Sequence, residues 1–591
     1  MVRLGLCAMG MGILAQSKNV QGQQSSAPPE PELAPVTAMD TGSFHTVVII
    51  RDMGMNVVKD WGANGKGQLG LNDTKDRGDN DGDVGDLLPS VNLGTGLQAV
   101  DVTAGLRHTA AILNDGSVRG WGYNGKGQLG IGNIRNVGDE LDEMGSSMSV
   151  TYLGNVKPTS ISAGGWHTCV ITDDSRLKCW GYNQWGELGL GDKNDRGDEQ
   201  GEMGDDLPFV NLGDNIQVAQ ISLGDWHTCV LLTDGGVVCF GKNFAGQLGI
   251  NNAVNRGDEQ GEMGNSLERV FLGGKKATMV ACGEEHSCAI LEDGEVRCWG
   301  LGSVGQLGQG DRMNRGDQPN EMYNLGKIDL GIERTAVKLV AGGNHTCAML
   351  DNSDVKCWGD NQFGQLGQGD TFDRGIAPGQ MGDNLAPISF DPTWTIKSLS
   401  AGYYHTCALV DVLDSLGVVK ESVACWGANF KGQIGLGISE TEHIGDDPDE
   451  MGENLKTANL GGDYVDEPNG DKWYDELWFH IMMGVIGGLC CICFICLCIR
   501  SHGDNSGLGS HPAGRKRSQE DGSDVEANTI GKNYVVGAAA SGGQAAASET
   551  ATTRSSALAA EPDSETAVGS PNADAAIAGA RNGGATRGSR V

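Results

Sequence analysis

Short apolar runs alternate with turns rich in Gly, Asp and Asn along most of the chain. The runs have the length of β-strands and are too short for helices. Helical periodicity is absent, and 94 of the 591 residues are glycine, which disfavours helices further. The pattern therefore predicts an all-β protein with four short strands per unit. In one representative unit, the predicted strands are residues 160–163, 167–172, 177–181 and 209–212.

This strand pattern repeats about every sixty residues. Each repeat has a histidine at the start of a strand, as in FHTVVIIRD and WHTCVITDDS, and successive histidines lie 59 to 63 residues apart. An aromatic-Gly pair and a turn such as GQLG follow, as in WGANGKGQLG. Four strands per repeat at this period predict the blades of a β-propeller, whose radial packing protects strand edges. The histidines are His45, His108, His167, His227, His286, His345 and His405.

The repeated frame A-G-x-x-H-T-C, followed by C-W-G-x-N-x-x-G-Q-L-G, resembles the RCC1 (regulator of chromosome condensation) repeat family. The resemblance covers residues 36–463, and seven copies imply a seven-bladed propeller. It also implies an alternative function, because the family's founder promotes nucleotide exchange on a small GTPase. That activity is associated with a hairpin wedge inserted in a blade, whereas the third hairpin here, residues 172–178, is short. One fold hosts many functions, so the resemblance is more specific for fold than for activity.

Ten of the 17 cysteines recur in phase, one in the histidine strand and one before the following aromatic-Gly pair. The first two repeats lack both members, which predicts that the two cysteines of a repeat are bonded partners. A ten-residue offset places them opposite each other only if the hairpin loop is odd, about three residues. Such bonds indicate an oxidising compartment, and the alternative is ten free buried thiols. The predicted pairs are Cys169–Cys179, Cys229–Cys239, Cys288–Cys298, Cys347–Cys357 and Cys407–Cys425.

Residues 478–499 form an apolar stretch without Asp, Glu, Lys or Arg. As a helix it would be roughly 33 Å long, which spans a bilayer, although a buried core helix has a similar composition. Acidic residues precede the stretch and basic residues follow it. This asymmetry predicts a single-pass type I membrane protein with an extracellular or luminal propeller and a cytoplasmic C-terminus.

The remaining segments complete the predicted organisation. Residues 1–17 read as a possible signal peptide, or else as a disordered N-terminus or a wrongly placed start. Residues 18–35 are a linker, 464–477 an acidic juxtamembrane segment and 500–591 a disordered cytoplasmic tail. Five cysteines near the cytoplasmic end of the predicted span are S-acylation candidates or simply apolar residues packed in lipid. They are Cys490, Cys491, Cys493, Cys496 and Cys498.

The formal net charge is -34, and nearly all of the excess negative charge precedes Arg500. Such a surface repels phosphate backbones, so no nucleic-acid partner is expected. No Ser-His-Asp set, paired carboxylates or phosphate loop stands out from the repeats, so no catalytic residue and no enzyme activity are predicted. We expect a receptor, adhesin or scaffold whose loops bind an unknown protein or glycan, with the lipid bilayer contacting residues 478–499. The alternative is a nucleotide exchange factor whose propeller faces the cytosol.

Four carboxylates, Asp79, Asp81, Asp83 and Asp86, are a candidate calcium site, because calcium prefers oxygen ligands. A solvated acidic loop is the alternative, since an EF-hand would require Gly at Val84. No other cofactor is predicted. Seven side chains on a wide propeller cannot all converge on one metal ion, so each repeat histidine is expected to form a hydrogen bond within its own blade.

Asn72 begins a credible glycosylation sequon in a polar loop, whereas the sequon at Asn344 is expected to be inaccessible at the start of an inner strand. The stretch RGDEQGEMG occurs at residues 196–204 and 256–264 and contains an adhesion-like tripeptide. Aligned with the other repeats, its Arg gives way to Val or Ile and its Asp to Ile376. That tolerance predicts a scaffold loop and not an adhesion motif.

Overall fold

The structure of the protein is a computed structural model that describes residues 36–461 except 53, 414–416 and 440. The predicted signal peptide, linker, juxtamembrane segment, membrane span and tail, with the five acylation candidates, lie outside the described residues. Within the described part of the chain, no helix combines the length and the apolar character that a membrane crossing requires.

The described residues form seven separate sheets, each of three consecutive antiparallel strands. The seven-bladed, all-β prediction is therefore confirmed. The sheets are β1 Val36–Thr41, β2 His45–Asp52, β3 Met55–Gly62; β4 Ala99–Ala104, β5 His108–Leu113, β6 Val118–Gly122; β7 Pro158–Ala163, β8 His167–Thr172, β9 Leu177–Gly181; β10 Val218–Leu223, β11 His227–Leu232, β12 Val237–Gly241; β13 Ala277–Cys282, β14 His286–Leu291, β15 Val296–Gly300; β16 Ala336–Ala341, β17 His345–Leu350, β18 Val355–Gly359; and β19 Thr395–Ala401, β20 His405–Leu413, β21 Val419–Gly427.

Short 3-10 turns lie in the long segments that follow the third strand of most blades. They span Asp81–Asp83, Gly85–Leu87, Gly145–Ser147, Gly264–Ser266, Met322–Asn324 and Gly382–Asn384.

The predicted fourth strand of each repeat is wrong. Residues 209–212 are not a strand, and they join the sheet through one hydrogen bond from the Val210 N–H to the Leu177 carbonyl, 2.9 Å long. The Val210 side chain is nevertheless buried in the core next to Leu177. Pro208 lacks an N–H and shortens any ladder on this side. The apolar pattern correctly predicted that this segment is buried, but the backbone of residues 209–212 does not form a β-ladder.

The first strand of each blade lines a central channel. Because these strands belong to different sheets, side chains of one strand form hydrogen bonds with some of the backbone N–H and carbonyl groups of the next. The Asp40 carboxylate accepts the Ala104 N–H at 2.9 Å, and the Gln220 side chain bonds both the N–H and the carbonyl of Val280. At the end of each inner strand a glycine packs against its counterpart in the next blade. A Cβ on any of them would overlap that neighbour's carbonyl oxygen, so only glycine fits. The ring consists of Gly42, Gly105, Gly164, Gly224, Gly283, Gly342 and Gly402.

The repeat histidines connect neighbouring blades, which corrects the expectation of a bond within one blade. Each Nε2 lies 2.8 to 3.0 Å from the hydroxyl of the Thr or Ser that follows the histidine of the next blade. That hydroxyl donates to a backbone carbonyl of the histidine's own blade, as Thr168 does to Gln128. The hydroxyl proton is thereby committed, so the histidine Nε2–H must be the donor. The contact of His405 with Thr46 joins the seventh blade to the first and closes the ring.

The five predicted cysteine pairs lie at bonding distance, with Cα atoms 4.0 to 4.2 Å apart. Each pair is directly opposite in the register of the second and third strands of its blade. The Thr172 N–H bonds the Arg176 carbonyl, which leaves the three-residue loop 173–175 that the ten-residue offset requires. In the first two blades, Val47 faces Asp60 and Ala110 faces Gly120 in the same register.

Replacing Cys347 and Cys357 together with Ala should lower the free energy of unfolding by about 2–4 kcal/mol, because the unfolded chain regains the freedom that the bond removes. Denaturant unfolding of the purified protein measures this. Cys282→Ala is the control, since Cys282 is buried and forms no disulfide. If a thiol reductant left the wild-type midpoint unchanged, these cysteines would not be bonded in solution.

A second prediction concerns His286, whose pKa burial lowers to about 3. In the unfolded chain the histidine has a pKa near 6.5. Below about pH 6.5 the unfolded chain therefore binds a proton at His286, whereas the folded chain does not. This contribution to stability is complete above that pH and is lost as the pH falls. His286→Gln should therefore make the pH profile of unfolding shallower, by about 1.4 kcal/mol per pH unit between roughly pH 6 and 4. Parallel profiles would contradict the prediction, and His502→Gln, outside the repeats, is the control.

Candidate functional site

Two sets of loops lie on the same side of every blade. The loop between the first and second strands meets the segment that leaves the third strand, as the hydrogen bond from the Tyr182 N–H to the Trp166 carbonyl shows at 3.0 Å. We call this side of the propeller the loop face. Its residues are free to differ between blades, because the strands beneath them supply the packing.

Six aromatic residues of blades two to four lie on the loop face as a packed group of four rings and a separate pair, and the ammonium of Lys242 lies near a ring of each set. We call these six residues the aromatic cluster. Trp166 packs edge-on against Tyr123 with centroids 5.5 Å apart, and against Trp226 at 6.2 Å. Trp226 also contacts the Tyr182 ring edge-on, at 5.6 Å. The side chain of Phe244, which packs against Trp185, is 53% exposed and is therefore available to a ligand. The members are Tyr123, Trp166, Tyr182, Trp185, Trp226 and Phe244.

Lysine side chains lie over several rings of the aromatic cluster. The Lys126 Nζ is 5.0 Å from the Tyr182 ring centroid, and the Lys66 Nζ is 5.8 Å from that of Tyr123. A cation over an aromatic face is attracted by the ring quadrupole. These contacts restrict the rings to defined positions, so a ligand meets a pre-organised surface.

The central channel opens on the loop face at the residues that follow the ring glycines. They line a cavity of about 70 Å³. Burial, together with repulsion from Glu284 and Glu285, raises the pKa of the Asp225 carboxyl to about 8. Burial also raises the pKa of Glu284, which accepts hydrogen bonds from the Tyr403 hydroxyl and from the Asn344 amide at 3.0 Å. The lining positions are Ser43, Leu106, Gly165, Asp225, Glu284, Gly343 and Tyr403. We call this set the channel mouth.

Glu187 is a buried acid that sequence reasoning missed. Its Oε2 accepts the Trp185 N–H at 2.8 Å, and no hydrogen-bond partner reaches its Oε1 within the described chain. Burial raises the pKa of Glu187 to about 8, so the carboxyl is largely protonated at neutral pH. The signal in the sequence was a single letter, GELG where the other blades have GQLG or GQIG.

A model of the RCC1-like domain matches residues 138–470, more than half of the chain. The chain belongs to the RCC1-like domain family. Models of the RCC1 repeat also match residues 61–112 and 99–128. RCC1-like propellers serve as regulators or binding modules, and this chain is one of them.

Known proteins with related sequences or folds differ in what they do. The chain is 26% identical to the Ultraviolet-B receptor UVR8 of Arabidopsis thaliana, over 78% of its own length and 91% of that protein. It is 34% identical to the human probable E3 ubiquitin-protein ligase HERC3, over 45% of the chain but only 24% of HERC3. The structure of human WBSCR16 has the same fold, with a TM-score of 0.51 and 19% identity over 67% of this chain and 94% of that one.

The structure does not bring the predicted calcium ligands together in this RCC1-like propeller. Asp83 Oδ1 accepts the N–H groups of Gly78 and Asn80, at 3.1 and 3.3 Å, and so closes its own loop. In the described part of the chain, one group of three or more His, Cys, Asp or Glu has a metal-like spacing, namely His227, Cys229 and Cys282. Cys229 is bonded to Cys239 and is not available as a thiolate. Calcium binding by the acidic loop stays a prediction without support from the geometry.

Both sequon asparagines are engaged in contacts with other blades. Asn72 has a positive φ of 60°, and its Oδ1 accepts the N–H groups of Glu143 and Met144 at 3.1 and 3.0 Å. The Nδ2 atom would carry a glycan, so glycosylation of Asn72 stays a prediction. Asn344 lies in the loop before β17, where it is half-buried and its amide contacts Glu284, instead of at the start of an inner strand.

The RGDEQGEMG segments are structural loops that pack one RCC1-like repeat against the preceding one. Arg196 pairs with the Gly181 backbone and forms an ion pair with Asp192 at 2.7 Å. Glu202 Oε2 accepts the N–H groups of Gly197 and Glu199, at 2.9 and 3.0 Å. Gly197 itself packs against the backbone of the preceding GQLG turn. The residues that recur from repeat to repeat therefore stabilise the loop and the blade interface.

Removing the Glu202 side chain should destabilise the fold, whereas changing the adhesion-like aspartates should not abolish any attachment. Glu202→Ala leaves two N–H groups without their acceptor, which costs about 1–3 kcal/mol in denaturant unfolding. Glu199→Ala, in the same loop and exposed, is the control.

Loss of cell attachment in an Asp198→Glu, Asp258→Glu double variant that folds normally would restore the adhesion hypothesis.

Proposed function

We propose that the propeller binds a protein or glycan ligand through its loop face, without catalysis, as the extracellular or luminal part of a single-pass type I membrane protein. The observation that carries this proposal is the aromatic cluster. It combines exposed aromatic surface with rings held in place by neighbouring rings and lysines. Aromatic side chains dominate the binding energy of protein interfaces because they bury a large area with little loss of side-chain freedom.

The scaffold supports a binding role because it holds loops of different composition on one rigid face. The ring of histidine and hydroxyl contacts fixes the blades, so loop residues do not have to order themselves when a ligand arrives. A related protein, UVR8, is named as a receptor of ultraviolet-B light. A propeller of this family can therefore act as a receptor.

The membrane placement is supported by independent features of the chain. Residues 478–499 are apolar, long enough to cross a bilayer, and flanked by acidic residues before and basic residues after. Five disulfides within the propeller favour an oxidising compartment over the cytosol. In a cytosolic exchange factor the reducing environment would keep these cysteines as free thiols.

Surface cross-linking on intact cells tests both the topology and the binding face. A membrane-impermeant amine cross-linker should capture a partner on the wild-type propeller, and a Trp185→Ala, Phe244→Ala variant should lose most of that capture, about tenfold. The control is Phe271→Ala, Tyr323→Ala, an aromatic pair outside the aromatic cluster with centroids 4.6 Å apart.

Complete protection of the propeller from the reagent, with its cysteines reduced, would overturn the proposal and favour the cytosolic exchange factor. Equal loss of capture in both double variants would show that the loop face is not the binding surface.

A further inference from the structure

We propose that the two longest hairpins of the propeller contact the surface of the lipid bilayer, through the exposed apolar side chains of Met55, Leu413 and Val419. This contact rests on the proposed function, because it specifies how the propeller is oriented on its membrane. The hairpins are β2–β3 of the first blade and β20–β21 of the seventh. They lie opposite the loop face, since the second strand of each blade runs from one side of the propeller to the other. We call this side the hairpin face, and its loops in the other five blades are residues 114–117, 173–176, 233–236, 292–295 and 351–354.

The first and seventh hairpins project beyond the other five. In blades two to six, the paired register of the second and third strands ends four residues past the histidine, as at Ile171. The register continues for three further pairs in the first blade, to Asp52, and for four further pairs in the seventh, to Leu413. At about 3.3 Å per residue, these additions lengthen the two hairpins by roughly 10 and 13 Å.

The long hairpins also differ from the short ones in polarity. Each short loop carries at least one exposed acid, namely Asp115, Asp173, Asp234, Asp293 and Asp351. On the long hairpins, by contrast, Met55, Leu413, Val418 and Val419 are 47 to 57% exposed. Leu413 and Val419 are partners in register, so their side chains lie on the same face of the hairpin. Apolar side chains grouped at projecting tips indicate a contact surface, unlike single ones scattered over a protein.

Both hairpins are held in place by the blades around them. Ile50 of the first hairpin and Leu409 of the seventh pack in one hydrophobic cluster, because the first and seventh blades are neighbours in the ring. The Asn56 side chain donates to a backbone carbonyl of β4 at 3.1 Å. The Lys397 ammonium pairs with the Asp411 carboxylate at 2.7 Å and braces the seventh hairpin against β19. The apolar tips therefore form one edge of defined position.

The chain leaves the propeller towards the hairpin face, which points to the bilayer as the surface that covers these tips. Ile444 pairs with Gly427 at the loop-face end of β21, and the Ala458 N–H then bonds the Val423 carbonyl, farther back along that strand. The segment thus runs from the loop face towards the hairpins. Only residues 462–477 then separate it from the apolar stretch that is long enough to cross a bilayer.

The length of the projection agrees with the polar layer of a bilayer. That layer is roughly 5–8 Å thick on each side of the hydrocarbon core. Tips that project by roughly 10–13 Å can reach the acyl boundary, while the acidic loops of the short hairpins stay in water. The chain has a net charge of -34, which favours zwitterionic over anionic headgroups. In this orientation the loop face points away from the membrane and is open to a ligand.

The test uses the full-length protein in phosphatidylcholine nanodiscs that contain a lipid with a photoactivatable diazirine on its acyl chain. After illumination, mass spectrometry should find label on Met55, Leu413 and Val419 as well as on residues 478–499. A Leu413→Ser, Val419→Ser variant should lose about tenfold of the label on β20–β21, because burial of these side chains drives the contact. The control is Ile134→Ser, since Ile134 is 60% exposed on the loop face. It should leave the hairpin label unchanged, and Ile134 itself should carry none.

Label on residues 478–499 but on neither hairpin would overturn the membrane contact and leave the proposed function standing. Equal label on Ile134 and on the hairpins, or undiminished label in the double variant, would also overturn it. Absence of label from residues 478–499 would contradict the membrane placement itself, and the contact with it. Unlabelled hairpins in nanodiscs that hold two chains, counted by light scattering, would assign the apolar tips to a second copy instead. Far-UV circular dichroism confirms that each variant is folded.

Discussion

The fold depends on one hydrogen-bond unit that is repeated at every blade interface. A histidine of one blade donates to a hydroxyl of the next, and that hydroxyl donates to a backbone carbonyl of the first, as in the set His108, Thr168 and Gln128. All three groups are buried, so each would be costly if unpaired. In five blades a tryptophan Nε1–H shares the same carbonyl, as Trp180 does with Gln128. The marker histidine and tryptophan of the repeat thus meet at one point in these five blades, whereas Trp121 of the second blade does not share the carbonyl and Phe240 replaces the tryptophan in the fourth.

Most of the architecture could be predicted from the sequence because each blade is local. Strands two and three of a blade, the odd hairpin loop and the cysteine pairs all lie within about twenty residues, where spacing determines geometry. The partner of each histidine could not be predicted in the same way. Thr228 lies 61 residues from His167, and periodicity alone does not distinguish a contact within a blade from one between blades. The prediction of a fourth strand was wrong because the apolar alternation of residues 209–212 reflects burial against β9. One backbone hydrogen bond holds this segment against β9, and no ladder forms.

The candidate site was less accessible to sequence reasoning. Tyr123, Trp166 and Trp226 come from three blades and look like isolated loop aromatics until the ring brings them together. The acids of the channel mouth were likewise hidden, because the positions after the ring glycines hold a different residue in almost every blade. Repetition identifies the scaffold, and departures from repetition identify the surface residues in which one blade differs from another. Glu187 is such a departure, since one oxygen in place of an amide nitrogen changes the local protonation chemistry.

The placement of the disulfides has a consequence for how the protein is made. Each bond joins two strands of one hairpin, over a separation of 10 residues in four blades and 18 in the seventh. Because both cysteines lie in one hairpin, such a bond can form before the ring of blades is closed. The first two blades, synthesised earliest, have no such bond, and the last blade must find the first one through non-covalent contacts alone. Disulfide formation is therefore local to each hairpin and leaves few opportunities for mispairing, whereas closure of the ring requires the first and the seventh blades together.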